Sequence, residues 1–206
     1  MKISRGMKVS LGTLAVVAAL AGCGPERAGS AVVLGSERIT DETVAAKAST
    51  LATALKLPID KQITGVTVQR LTSNAIVEEA AAQAGITVTQ GQVDELIDEA
   101  VQSNGGREQF EQLAIQQGLL PEDVPLQARI SLLASALGEK LAPGVDQQAA
   151  STVIAQDLVR VSNELNVTVS PRFGVWDSNQ LRLDAPPNDL SKPLLTNDPT
   201  QLLPNQ

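Results

Sequence analysis

The stretch AVVLGSERIT at residues 31–40 decides how this chain folds. Its first four residues are apolar and favour a strand, Gly35-Ser36 favours a tight turn, and residues 37–39 favour a short return strand. Thr40 then suits the first position of a helix, because its hydroxyl can accept a hydrogen bond from a free backbone N–H group. Two acidic residues follow, where carboxylates interact favourably with the helix dipole. The pattern predicts a β-hairpin that leads directly into a helix.

Five further helices are predicted downstream, because apolar residues recur there at helical spacing. The first helix should end at Pro58, and Gly85 and Asn104-Gly105-Gly106 should end the second and third. We expect the later helices over about 63–84, 89–103, 107–118, 121–141 and 146–165. The apolar seam of the fifth helix is predicted to be Leu126, Ile130, Leu133, Leu137 and Leu141. Because residues 167–169 favour a strand, the predicted fold is mainly α, with a small β pairing of the two chain ends.

The N-terminal residues have the features of an export signal. Three basic residues come before an apolar run over 9–21, which is too short to span a bilayer. The run ends in Leu20-Ala21-Gly22-Cys23, which resembles the lipobox of bacterial lipoproteins. That resemblance implies cleavage before Cys23, lipidation of this cysteine with chains such as palmitate, and a location on the extracytoplasmic face of the cell membrane. Either Met1 or Met7 could be the start of the chain.

The composition argues against several classes of function. The chain has no histidine and only one cysteine, which removes Ser-His and Cys-His catalysis and imidazole metal sites. We therefore predict no catalytic residues, no cofactor and no metal site. The net charge is −7, and the predicted signal peptide carries three of the positive charges. So acidic a chain argues against binding to nucleic acid and against electrostatic docking to an anionic bilayer, which leaves the lipid as the membrane contact.

The order and spacing of these elements resemble the N-terminal domain of SurA-like periplasmic chaperones. The resemblance runs from the strand-turn-cap start at residues 33–40, through EEAAAQAGI at 78–86 and VDELI at 93–97, to GREQF at 106–110 and the long helix at 126–141. Residues 169–177, VSPRFGVWD, are similar to the closing segment of SurA- and PrsA-like foldases and of actinobacterial lipoproteins of this type. Ser170 stands where that segment usually has asparagine.

The chain departs from the foldases in one large way. They carry a parvulin prolyl-isomerase domain between the long helix and the closing segment. Here the predicted sixth helix fills the short interval between Leu141 and Val169, and the histidines of a parvulin site are missing. The resemblance therefore implies a chaperone domain without isomerase activity.

The closing segment allows two interpretations. Arg172, Phe173 and Trp176 hold two of the three aromatic residues beside a cation, and such residues are frequent at binding hot spots. They could therefore contact a polypeptide or a partner. The alternative, which we favour, is a closing strand that pairs with residues 32–34 and buries both aromatic rings against the helices.

A second cluster, on the third helix, is acidic: Asp94, Glu95, Asp98 and Glu99. A calcium site is conceivable, but the alternating acids of an EF-hand loop are missing. We interpret the cluster as a solvated face that could attract basic unfolded segments.

These observations predict a signal peptide at 1–22, a spacer at 23–30, a SurA-like helical domain with its closing segment at 31–178 and a disordered tail at 179–206. The leading hypothesis is a non-enzymatic chaperone or holdase, lipid-anchored at Cys23, for unfolded or newly exported polypeptides. A scaffold lipoprotein with one dedicated folded partner is the alternative, and a degenerate enzyme is a third. The sequence does not give the oligomeric state.

Overall fold

The computed structural model describes residues 28–186. The predicted signal peptide, Cys23 and residues 187–206 of the predicted tail lie outside the described residues. The first part of the chain contains strands β1 (Ser30–Leu34) and β2 (Glu37–Thr40) and helices α1 (Asp41–Leu55), α2 (Lys61–Gln83), α3 (Gln90–Ser103) and α4 (Arg107–Gln116). A 3₁₀ turn at Pro121–Asp123 leads to helices α5 (Val124–Leu141) and α6 (Gln147–Glu164), followed by strands β3 (Thr168–Val169), β4 (Val175–Asp177) and β5 (Arg182–Asp184). The mainly α prediction is confirmed, with six helices.

The predicted hairpin and helix starts form as the local sequence requires. The β1–β2 turn pairs Leu34 with Glu37, and the Thr40 hydroxyl accepts a hydrogen bond from the Thr43 backbone N–H at 3.0 Å. Thr89 begins α3 with a capping box, in which Gln92 also accepts from the Thr89 N–H. The predicted cap at Thr40 and the predicted start of the third helix at residue 89 are confirmed.

The two ends of the described chain meet in one sheet. Its strand order is β2-β1-β3, and β3 pairs antiparallel with β1 through Val32–Val169 and Val33–Thr168. The turn of the first hairpin also rests on the end of α6, because the Gly35 N–H donates to the Leu165 carbonyl at 2.7 Å. The predicted pairing of the chain ends is therefore confirmed, with β3 as the pairing strand.

Helix α2 is the centre of the core, since it contacts α1, α5, α6, β1 and β5. Its buried residues lie on several sides, which is expected for a helix enclosed by neighbours. The largest fully buried apolar side chains come from α2 and from five other elements: Val32, Val44, Val68, Ile76, Val93, Leu137 and Val161. A smaller cluster of Ala48, Leu51, Ala52, Ile63 and Leu120 joins α1 to the start of α2 and to the α4–α5 connection.

Two parts of the predicted architecture need correction. In the seam of α5, Ile130, Leu133 and Leu137 are buried, but Leu126 and Leu141 are exposed. Both leucines lie in the terminal turns of α5, where no neighbouring element within residues 28–186 covers the apolar face of the helix. The predicted tail also begins too early, because Arg182–Asp184 form strand β5, which pairs with β4 in a second hairpin.

None of the helices within residues 28–186 is long and apolar enough to cross a membrane.

Candidate functional site

The closing segment after α6 crosses strand β1 before it forms the second hairpin. The Ser170 N–H donates to the Ala31 carbonyl at 2.8 Å, and the Phe173 N–H donates back to the Ser170 carbonyl at 2.9 Å. This tight turn places Arg172 at the surface beside α1 and leaves Phe173 half-buried, in contact with the core on one side. The family-like sequence at 169–177 thus builds a turn between β3 and β4 and not one continuous strand.

Arg172 is held by two partners on this surface. Its guanidinium forms an ion pair with Asp41 in the first turn of α1, and its Cζ atom lies 4.5 Å from the centroid of the Phe173 ring. A cation over an aromatic face at this distance contributes about 0.5–1 kcal/mol at an exposed site. The Asp41 N–H also donates to the Gly29 carbonyl at 2.8 Å, so the start of the described chain lies next to Arg172.

Trp176 differs from Arg172 and Phe173, although the sequence groups the three. Its side chain is only 8% exposed, and its Nε1–H donates to Ser162 Oγ at 2.9 Å. Ser162, itself fully buried, donates in turn to Ser178 Oγ at 3.0 Å. Trp176 therefore fixes the second hairpin to α6 and is not available on the surface as a partner contact. The alternative of a buried closing residue is the correct one for this position.

Gln69 of α2 attaches the same hairpin from the other side. Its Nε2 donates to the Leu181 carbonyl at 2.9 Å, and its Oε1 accepts from the Leu183 N–H at 2.6 Å. One side-chain amide thus satisfies two backbone groups of the β5 segment, as a neighbouring strand would. Gln69 could not be identified from the sequence, because nothing local distinguishes it from other helical glutamines.

An open groove of about 790 Å³ lies between the first turns of α2 and the closing segment. Arg172 and Phe173 line it, whereas Trp176 does not. The apolar residues that line the groove are Ile59, Val66, Phe173, Leu183, Ala185 and Pro186. The structure therefore brings two of the three predicted contact residues to one concave surface, together with α2 residues that the sequence analysis did not select.

The groove is bordered by solvent-exposed apolar side chains. Of the residues that line it, Ile59 is 60% exposed and Val66 is 44% exposed. Single exposed apolar residues are ordinary on protein surfaces, but a group of them around a concavity is typical of a binding surface.

Most charges around the groove are already paired. Asp60 caps α2 by accepting from the Ile63 N–H at 2.9 Å, Asp184 accepts from Arg182 Nε at 2.7 Å, and Arg172 is paired with Asp41. Lys61 makes no ion pair with any residue of the described range. Asp60 and Lys61 are thus the two lining charges without an ion pair within residues 28–186, and they are opposite in sign. The groove therefore offers an apolar surface of little net charge, which suits an apolar segment better than a highly charged one.

A second polar cluster is structural. Lys47 pairs with Asp123, and Arg70 donates to the Gly118 carbonyl, so the two cations join α1 and α2 to the α4–α5 connection. Burial lowers the pKa of Arg70, and the nearby Asp123 charge opposes this shift. An arginine remains charged at any physiological pH despite such a shift. The space between these side chains, about 20 Å³, is too small for a ligand.

The acidic residues of α3 are all exposed. Within residues 28–186, no three Asp, Glu, Cys or His side chains come close enough together to hold a metal ion. The described carboxylates of α3 therefore form a solvated face.

Comparison of the chain with models of known families, with characterised proteins and with solved structures found no match. The resemblance to SurA-like chaperones thus remains a prediction from the sequence.

Replacing Gln69 by leucine should lower the free energy of unfolding by about 1–3 kcal/mol, because it leaves the Leu183 N–H and the Leu181 carbonyl without their partner. Chemical denaturation followed by far-UV circular dichroism measures this loss. Gln62→Leu is the matched control on the same helix, since Gln62 is exposed, and it should change the free energy by less than about 0.5 kcal/mol. Equal effects of the two substitutions would contradict the attachment of the hairpin by Gln69.

Proposed function

We propose that this chain is a non-enzymatic chaperone or holdase that binds apolar segments of unfolded or newly exported polypeptides in the groove between α2 and the closing segment. The observation that carries the proposal is the exposed apolar border of this groove. A binder of unfolded chains needs apolar surface, and it needs enough charge to stay soluble. The net charge of −7 supplies the second requirement.

The position of the groove fits an anchor at Cys23. Gly29 lies beside Asp41, which pairs with Arg172 at the groove. Five residues lie between Cys23 and Gly29, so the two Cα atoms can be at most about 22 Å apart when the chain is fully extended. A lipid on Cys23 would thus hold the groove close to the extracytoplasmic face of the membrane, where exported chains emerge.

Aggregation of a denatured client tests the proposal directly. The chain from residue 23 onward, with Cys23→Ser, should suppress aggregation of two unrelated denatured clients at several-fold molar excess. Val66→Asp should reduce the suppression several-fold, because it places a charge on the apolar border of the groove. Val145→Asp is the matched control, since Val145 is exposed to a similar extent, 49%, on the α5–α6 connection, and it should retain the suppression.

Failure of the parent chain to suppress aggregation of either client would refute the holdase proposal. Equal loss in both aspartate variants would refute the groove as its site.

The alternative is a scaffold lipoprotein with one dedicated folded partner. A photo-crosslinking amino acid at Val66 in living cells separates the two proposals. A holdase should yield many crosslinked polypeptides, whereas a scaffold should yield a single one. The same probe at Val145 shows which crosslinks are specific to the groove.

A further inference from the structure

One side of the groove is formed by the chain just before the C-terminal residues 187–206. Ala185 and Pro186, the last described residues, form part of its lining. The sequence continues from there as PNDLSKPLL at residues 187–195. Three leucines thus follow Pro186 within nine residues, directly after the point where the chain lines an apolar groove.

We propose that Leu190, Leu194 and Leu195 of the same chain occupy this groove. The reach is sufficient, because nine residues span up to about 30 Å. The α2 part of the groove, from Lys61 to Gln69, is only about 12 Å long at 1.5 Å per residue.

Covalent attachment favours this occupant over any free polypeptide. A short flexible tether raises the effective concentration of the attached segment to the millimolar range. A segment that binds only weakly as a free peptide therefore fills the groove when it belongs to the same chain. The charges do not oppose this assignment, since Asp189 and Lys192 leave the segment without net charge.

The consequence for clients rests on the proposed function. If the groove is the client site, its own C-terminal segment competes with clients and is displaced only by segments that bind more tightly. Binding of the C-terminal segment in the groove does not require a client, so it can be measured in the absence of clients.

Intramolecular crosslinking tests the occupant. In the chain from residue 23 onward with Cys23→Ser, the pair Val66→Cys and Ser191→Cys supplies the only two thiols, and Ser191→Cys leaves all three leucines in place. A short bismaleimide should join the two thiols within one molecule. Adding Leu190→Asn, Leu194→Asn and Leu195→Asn keeps the tether length and removes the apolar side chains, and it should slow the crosslink at least tenfold. Ile59→Asn, which removes an apolar side chain from the groove, should also slow the intramolecular crosslink.

Equal crosslinking rates with and without the leucines would overturn the proposal, because the tether alone would then explain the reaction. Crosslinks between two molecules in place of one, with a yield that rises with protein concentration, would identify a second copy as the occupant and overturn it as well. Since no client is present, either failure is independent of the aggregation assay.

Discussion

A Gly174→Ala substitution is expected to detach the second hairpin and to lower the melting temperature of the domain by about 10 °C. Gly174 has a φ of +144°, a conformation that side chains disfavour. A Cβ atom built there would lie 2.2 Å from the Asp184 carbonyl oxygen and 3.0 Å from Leu183 Cδ1. The oxygen belongs to the backbone, so it cannot rotate away as a flexible side chain could. The β4–β5 pairing of Val175 with Asp184 must therefore open or shift.

The expected decrease in melting temperature follows from two contributions to the loss of stability. Backbone strain of this kind and overpacking each cost about 1–3 kcal/mol, so a combined loss of about 3 kcal/mol is expected. For a domain of this size, each kcal/mol shifts the melting temperature by about 2–4 °C.

The single tryptophan provides a local measurement of this change. Trp176 is the only tryptophan of the chain, and it is buried in β4. Its emission should move to longer wavelength in Gly174→Ala at temperatures where far-UV circular dichroism still reports intact helices. Gly91→Ala is the control, because a Cβ there meets no atom within 4 Å and alanine favours the helical conformation of α3. An unchanged emission and melting temperature in Gly174→Ala would contradict the close approach of the two strands.

Features with a local cause could be predicted from the sequence. The hairpin before Thr40, the caps Thr40 and Thr89 and the end of α1 before Pro58 depend on residues within about four positions of one another. Hydroxyl, glycine and proline chemistry determines such features without reference to the rest of the fold. The Ala-rich helices also show their buried faces in the spacing of apolar residues.

Features that depend on residues far apart in the chain could not be predicted from the sequence. Gln69 bonds to Leu181 and Leu183, which are more than 110 positions away, and no pattern around Gln69 reveals this. The segment Arg182–Asp184 has two charged residues among three, so it resembles a polar tail. It is a strand only because β4 and Gln69 satisfy its backbone groups.

The candidate site lies between these two cases. The composition of the closing segment singled out Arg172, Phe173 and Trp176, and two of them line the groove. Whether an aromatic ring points to the surface or to the core depends on the turn between β3 and β4, which the sequence did not predict. The α2 side of the groove, with Ile59 and Val66, also became apparent only when the hairpin was placed against this helix.

Replacing Trp176 by alanine is expected to lower the free energy of unfolding by about 4 kcal/mol. Removal of a large buried aromatic side chain costs about 3–5 kcal/mol, because the packing is lost and the neighbours collapse only in part. Here it also removes the donor to Ser162 Oγ. Trp176→Phe retains one aromatic ring but loses the N–H donor and part of the indole volume, so about 1–3 kcal/mol of the loss should remain. Denaturation followed by far-UV circular dichroism measures both variants without the tryptophan signal.

The neighbouring aromatic residue provides the decisive contrast. Phe173→Ala removes a half-buried ring that contacts Arg172 and one side of the core, so it should cost about 2 kcal/mol of stability, less than Trp176→Ala. Under the proposed function it should nevertheless reduce the suppression of client aggregation several-fold. Trp176→Phe should do the opposite, with a measurable loss of stability and unchanged suppression well below its melting temperature. If Trp176→Phe impairs suppression while Phe173→Ala does not, the roles of the two rings are reversed and the client site cannot be the groove that Phe173 lines.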